Sequence, residues 1–262
     1  MTTADINTDN QDAVKGLTVD ESEVAFFAKI ADSWWDPRGP FKPLHQLNPT
    51  RLGYIRQKVC THFGLDNTLT PFKGLRLLDI GCGGGLISEP MCRLGADVVA
   101  VDASEKNIKT ASVHAAEGGL EIDFRNSTAE ALTEAGEKFD VIINMEVIEH
   151  VADVDAYLAA CYKLMKPGGI MLLSTINRTA KAYLFAIIGA EHVLRWLPVG
   201  AHDWKKFLKP EELASAAAKV GFTPAAPTGF VMAPLSQQWR LDDSDVAVNY
   251  AMAAIASQAP EE

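Results

Sequence analysis

The chain of 262 residues carries 24 basic and 34 acidic side chains, a formal net charge of −10, and 48% of its residues are hydrophobic. So much apolar material supports a sizeable core and excludes wholesale disorder, while 19 Gly and 13 Pro exclude collagen-like and low-complexity classes. An acidic balance also disfavours nucleic acid as a partner, because phosphate binding needs clustered Lys and Arg. Cys60, Cys82, Cys92 and Cys161 form no Cys-x-x-Cys pair, so they read as free thiols of a reducing cytosol rather than a zinc ribbon or a redox dithiol. The first residues are polar and acidic, without the basic start and apolar run of a signal peptide. The longest strongly apolar run, 182–190, is nine residues, against roughly 20 for a membrane span. A soluble, cytoplasmic protein is expected.

Residues 1–20 read as a mobile acidic tail ahead of one domain over 21–262. Val24, Phe27, Ile30 and Trp34 stand at helical spacing in 21–36. Pro37, Gly39, Pro40 and Pro43 force a loop, and Asn48-Pro49 predicts a helix start, with Asn as cap and Pro as first helical residue. That helix should run to about residue 63, with Gly64 as its stop. From residue 75 short apolar runs at 75–80, 97–102, 122–125, 139–145 and 170–176 read as strands. Helices at 86–94, 105–117, 154–165 and 211–220 separate or follow them, and Lys166-Pro167-Gly168-Gly169 turns one helix into the next strand. Apolar strands alternating with helices predict an α/β fold, a parallel sheet covered on both faces. Such sheets bind ligands at the carboxyl ends of their strands.

The strongest local signal lies there: Leu78-Asp79-Ile80-Gly81-Cys82-Gly83-Gly84-Gly85 closes a strand and opens a helix. A dinucleotide fingerprint, G-x-G-x-x-G, would need glycine at Leu86 or Ser88, and neither frame fits; the pattern present is G-x-G-x-G at Gly81, Gly83 and Gly85. Asp79 would repel a pyrophosphate and suits a ligand with a positive end, such as the ammonium and sulfonium of S-adenosylmethionine. Asp102 closes the next strand, where an acid can accept the ribose hydroxyl protons. The bland alternative is a tight turn with no ligand.

These residues resemble the seven-stranded S-adenosylmethionine-dependent methyltransferases, with a Rossmann-like doubly wound sheet. Further segments narrow the resemblance to the ubiquinone-biosynthesis O-methyltransferases: Trp34-Trp35-Asp36, Phe41-Lys42-Pro43-Leu44-His45, Asn48-Pro49-Thr50-Arg51-Leu52-Gly53-Tyr54-Ile55, Glu146-Val147-Ile148-Glu149-His150-Val151, Ser174-Thr175-Ile176-Asn177-Arg178 and His202-Asp203-Trp204-Lys205-Lys206-Phe207. The likeness spans roughly residues 22 to 252. It implies N-terminal helices, a helical insertion after the fifth strand, and Arg51, Gly81, Asp102 and Met145 as cofactor residues. Asp79, Gly83 and Ala129 join them as neighbours of the donor. Thr128 stands where this fold often has an Asp near the adenine.

Methyl transfer needs a phenol to lose a proton whose pKa is about 10, so a base or a metal is required. Glu146, Glu149 and His150, at i, i+3 and i+4 past the fourth strand, offer three readings: a purely structural turn, His150 as catalytic base, or a site for Mg²⁺ or Zn²⁺. Resemblance to the eukaryotic branch supports the metal.

The insertion 177–209 places Tyr183, Ile187, Ala190, Leu194 and Leu197 at helical spacing and holds six basic residues (Arg178, Lys181, Arg195, Lys205, Lys206, Lys209) against Glu191 and Asp203. A basic apolar helix lies on an anionic bilayer or covers a greasy substrate as a lid. The resemblance implies polyprenylated acceptors, 2-polyprenyl-6-hydroxyphenol and 3-demethylubiquinol. It also implies peripheral contact with the inner face of the membrane or with other ubiquinone-biosynthesis enzymes. A methyltransferase of another phenol or of a carbon nucleophile is the nearest alternative. A nicotinamide oxidoreductase is disfavoured by Asp79, Leu86 and Ser88; a non-catalytic cofactor- or lipid-binding protein would bind the donor without turnover.

Overall fold

The computed structural model describes residues 18–184, 204–233 and 236–257. Most of the expected acidic tail and the centre of the expected insertion, with Ile187, Ala190, Leu194, Leu197 and Arg195, lie outside the described residues. Five strands, β1 (Arg76–Ile80), β2 (Asp97–Asp102), β3 (Asp123–Asn126), β4 (Phe139–Met145) and β5 (Met165–Ile176), pair in parallel in the order β3-β2-β1-β4-β5. The sheet continues antiparallel through β9 (Asn249–Ala256), β7 (Thr228–Met232) and β8 (Trp239–Asp242), while β6 (Phe222–Pro224) also pairs with β9. β6 and β7 meet different stretches of β9, at Ala254–Ala256 and Asn249–Ala251, so they act as one strand interrupted before Pro227. Counted so, the strands other than β8 fill the expected seven positions, and β8 is an added edge.

Helices cover both faces. Leu78, Ile80, Val99, Ile142 and Leu173 pack with α5 (Ala129–Glu134), α6 (Val154–Leu164) and α8 (Pro210–Lys219). The alternate residues Leu77, Val98, Val141, Ile143 and Leu172 pack with α2 (Lys42–Phe63), α3 (Ser88–Arg93) and α4 (Glu105–Glu117). The period of two along each strand divides the core between the faces. Caps place the helices: Ser104 accepts from Asn107 N, Thr128 from Ala131 N and Asp153 from Ala156 N. Two short elements complete the order, α1 (Glu21–Lys29), capped by Asp20, and α7 (Ala180–Ala182).

One expected boundary is wrong. α2 does not start at Asn48-Pro49 but at Lys42, with Pro43 in its first turn and Pro49 inside. Pro43 provides the N-terminal proline, and the Asn48 amide, instead of capping, donates to the Leu86 carbonyl at 2.9 Å. The stop is as expected: Gly64 takes the left-handed conformation (φ 62°) that ends the helix. The helix expected over 21–36 ends at Lys29 and passes into a 3₁₀ turn, Ala31–Ser33. Among the described residues no helix is long and apolar enough to cross a membrane.

Leu78 is fully buried between Val99 of β2 and Ile142 of β4. Leu78→Ala is expected to cost about 2–5 kcal/mol of stability, measurable by denaturant unfolding.

Candidate active site

The sheet order reverses at β1, and the crevice at the carboxyl ends of β1 and β4 becomes a cleft with about 840 Å³ of open space. Its floor is the glycine loop. Gly81 N and Cys82 N both donate to the Val101 carbonyl, at 2.8 and 3.0 Å, which ties the loop to β2. Gly81, Gly83 and Gly85 have φ of 68°, 54° and 86°, a region that favours glycine. Glycine is needed for space as well: a Cβ would stand 2.6 Å from the Val147 side chain at Gly81 and 2.3 Å from the Trp34 ring at Gly83. The loop therefore seats an indole on one side while it faces the cleft with Gly81 and Gly83.

Asp102 lines the cleft at the end of β2. Its Oδ2 accepts from Gly83 N at 3.0 Å, and its Oδ1 from Ser104 N at 2.8 Å and Asn107 Nδ2 at 3.2 Å. Burial pushes its pKa up, and these three donors oppose that. A carboxylate offers about four acceptor positions, so about one remains for a ligand hydroxyl.

Asp79 takes a different place from the one its sequence position suggests. It is not in the cleft wall but buried behind the loop, with Oδ2 accepting from Ser88 Oγ at 2.5 Å. Burial raises its pKa to about 7, Asp102 adds to the rise, and Ser88 and Arg51 oppose it. It is a titrating group near neutrality, not a fixed anion. Arg51, on α2, is also buried; its Nη2 lies 3.4 Å from Glu146 Oε1, and neither Nε nor Nη2 has a hydrogen-bond partner. Met145 belongs to the core beside α2, while the next residue, Glu146, reaches the cleft. Ala129, at the start of α5, lines the far end with Ser127 and Thr128, whose hydroxyl caps α5.

Glu146, Glu149 and His150 are close in sequence but do not converge. Glu146 holds a left-handed backbone (φ 58°), uncommon for a residue with a side chain. Its Oε1 accepts from Ser174 Oγ at 2.6 Å. Glu149 points inward, accepts from Thr175 Oγ1 at 2.9 Å, and burial pushes its pKa up to about 7. His150 ends a 3₁₀ turn, and its Nδ1 lies 3.1 Å from Glu23 Oε2. Burial works against its charged form, yet Glu23, Glu149 and Glu146 together raise its pKa. Among the described residues no group of three His, Cys, Asp or Glu is arranged to hold a metal ion. The expected ligand set therefore does not fit in this arrangement: each side chain is committed to a different partner.

The wall that sequence reasoning missed is the N-terminal segment. Thr18 N and Oγ1 both donate to Glu130 Oε1, at 3.1 and 2.6 Å, and Val19 bridges to Val151. Asp20 and Glu23 each accept from Lys206 Nζ at 2.9 Å. Val24 and Phe27 face the cleft, and the Phe27 ring meets His150 edge-on at 5.2 Å between centroids. The helical spacing of Val24 and Phe27 was the available signal; nothing local said which surface they would cover.

A family model described as a methyltransferase domain matches residues 52–226. The ubiquinone biosynthesis O-methyltransferase of Dinoroseobacter shibae is 57% identical over 239 residues, covering 91% of this chain and 96% of the relative. That of Brucella anthropi is also 57% identical over 239 residues, 90% of this chain and 96% of the relative. Among solved structures, a possible histamine N-methyltransferase from Thermotoga maritima has a TM-score of 0.61 at 17% identity, covering 89% of this chain and 99% of its own. Magnesium protoporphyrin IX methyltransferase from Synechocystis, solved with bound S-adenosylmethionine, has a TM-score of 0.58 at 18% identity, covering 93% and 100%. These two show the fold.

Asp79 makes a pH prediction. Its carboxyl holds a proton in the folded chain up to about pH 7 but only to about 3.9 when unfolded. Its contribution to stability is thus complete below about pH 4 and is lost as pH rises through 7. Asp79→Asn, which cannot ionise, should gain stability relative to the natural chain between pH 5 and 8, on the order of a few kcal/mol. Urea unfolding of both proteins across that range measures the difference.

Proposed function

The chain belongs to the ubiquinone biosynthesis O-methyltransferase family, and from that premise we propose which parts of the cleft hold the donor and the acceptor. It is an S-adenosylmethionine-dependent O-methyltransferase. The observation that carries the proposal is the meeting, in one cleft, of the Gly81–Gly83 loop and Asp102 with Phe27, Val147 and His150. The first group suits a nucleoside, the second an aromatic alcohol.

Asp102 takes a ribose hydroxyl of the donor, and Ser127, Thr128 and Ala129 border the adenine. The methionine end lies over Gly81, with the Arg51 guanidinium, paired with Glu146 but keeping N–H groups without a hydrogen bond, as the group suited to its carboxylate. The donor when bound supplies an activated methyl group on sulfur. The acceptor is a polyprenylated phenol or quinol, 2-polyprenyl-6-hydroxyphenol and 3-demethylubiquinol, with its ring against Phe27 and Val147. His150 is the base. Glu23 engages Nδ1 and leaves Nε2 for the phenol proton. The phenolate oxygen then forms a bond to the methyl carbon as the carbon–sulfur bond breaks, leaving S-adenosylhomocysteine. Alignment by the two halves of the cleft lowers the barrier further. A divalent metal at Glu146, Glu149 and His150 would require all three to leave their present partners.

The prenyl tail calls for work near a bilayer, since each buried CH₂ is worth about 0.8 kcal/mol. Tyr183, Leu184 and Trp204, at the described ends of the insertion, are exposed apolar side chains and support peripheral membrane contact there. The basic residues support it less. Arg178 pairs with Glu212, Lys181 with Asp245, and Lys206 with Asp20 and Glu23. Flotation with anionic liposomes should carry the protein upward, and protein left wholly in the lower fraction would refute the contact.

Incubation of the purified chain with labelled S-adenosylmethionine and a prenylated catechol should give the methyl ether and S-adenosylhomocysteine. Asp102→Ala should lose about 1.5–3 kcal/mol of donor affinity by calorimetry, the worth of a hydrogen bond to a charged group. His150→Ala should lower turnover by roughly 10²–10⁴-fold. It should also abolish the rise of kcat/KM with pH that accompanies deprotonation of the imidazole; unchanged turnover at every pH would remove His150 as the base.

A further inference from the structure

Trp34 and Asp102 are joined through Asn107. The indole Nε1 donates to Asn107 Oδ1 at 3.0 Å, and Asn107 Nδ2 donates to Asp102 Oδ1 at 3.2 Å. Trp34 and Asn107 are buried, and both border the cleft. The chemistry of the three groups gives this relay a direction. An indole N–H only donates and an ionised carboxylate only accepts. The amide between them satisfies both in one orientation, oxygen toward Trp34 and nitrogen toward Asp102. Reversed, it would leave the buried indole N–H unpaired and set an amide oxygen against the carboxylate, each a costly arrangement.

The indole is itself firmly seated. It stacks on Phe41 with centroids 3.7 Å apart and planes 8° from parallel. It presses on the loop so closely that a Cβ at Gly83 or Gly84 would lie 2.3 or 2.4 Å from it. The residue whose amide holds the other oxygen of Asp102 is that same Gly83. One side chain of the N-terminal segment thus bears on the Asp102 carboxylate by two routes, packing through Gly83 and hydrogen bonding through Asn107.

We propose that Trp34 and Asn107 are positioning residues that hold the Asp102 carboxylate in the orientation that receives a ribose hydroxyl, so that seating of the N-terminal segment sets the affinity for the methyl donor. This rests on the reading of Asp102 as the ribose acid. Neither residue touches the reacting atoms; each acts through Asp102. The tail of the relay is remote in sequence, 73 residues from Trp34 to Asn107, so it exists only when the N-terminal segment is docked.

Calorimetry with two probes tests it: S-adenosylhomocysteine and its 2′,3′-dideoxy counterpart. Trp34→Phe keeps the stacking ring and removes the N–H; Asn107→Leu keeps the bulk and removes the amide. Each should weaken S-adenosylhomocysteine by about 3- to 10-fold, the scale of one hydrogen bond, while the dideoxy compound changes less than about twofold. A merely structural role would weaken both probes alike, and that result, or no loss with either, overturns the proposal. Should Asn107→Leu fail to fold, Trp34→Phe decides by itself. Asp102→Ala separates the two layers. If it removes the preference for the ribose compound while the relay variants keep it, the relay is wrong and the ribose reading stands. If it leaves the preference intact, both are wrong.

Discussion

The Asp102 carboxylate is drawn out of water at the end of β2, and three donors face it: Gly83 N, Ser104 N and Asn107 Nδ2. Burial alone would favour its neutral form. The donors come from two elements, the glycine loop and the N-terminus of α4 (its cap Ser104 and, in its first turn, Asn107), so keeping this one anion fixed requires β1, β2 and α4 to be in register. The parallel pairing of Ile80 with Val101 delivers that register. The open side of the carboxylate then faces a cleft bordered by the residues that suit the rest of a nucleoside.

Closing that cleft falls to a segment that belongs to no layer of the sheet. Thr18 is held by Glu130 on one lip, Val19 by Val151 on the other, and Asp20 and Glu23 by Lys206. Ion pairs as partly solvated as those of Lys206 are individually modest. Further along the segment, Ala31, Trp34, Phe41 and Leu86 form a small apolar cluster that seats it against the glycine loop. Glu23 also meets His150, so the segment that walls the cleft also holds the imidazole.

Charge under the cleft follows a similar logic. Arg51, Asp79 and Glu149 are all buried within the same end of the sheet, and Glu146 sits above Arg51 in a left-handed backbone. Arg51 keeps two polar atoms without hydrogen-bond partners. Buried donors are seldom left so without a reason. The left-handed backbone of Glu146 and its ion pair with Arg51 lie together at the carboxyl end of β4.

Strands β1, β2, β4 and β5 were legible because each carries an apolar run buried on both faces, set between helices, and the edge strand β3 followed from its place between α4 and α5. β6 to β9 were not. β9, Asn249–Ala256, is rich in alanine, a poor strand former, and it is a strand because β5, β6 and β7 flank it from distant parts of the chain. Asn48-Pro49 carried the right residue types for a helix start, but Pro43 offered the same signal earlier, and packing of Asn48 on Leu86 chose between them. Gly81, Gly83 and Asp102 could be read from spacing, because a strand–turn–helix unit fixes where each must stand. Sequence by itself determined the doubly wound half of the sheet, the loop and the acid beside it, since those depend on contacts within a few tens of residues. Only the tertiary structure decided that Asp79 lies behind the loop, that Glu146, Glu149 and His150 are each committed to a different partner, and that Trp34 reaches Asp102 through Asn107. Those outcomes depend on which side chains meet across long stretches of chain, and no local pattern encodes such meetings.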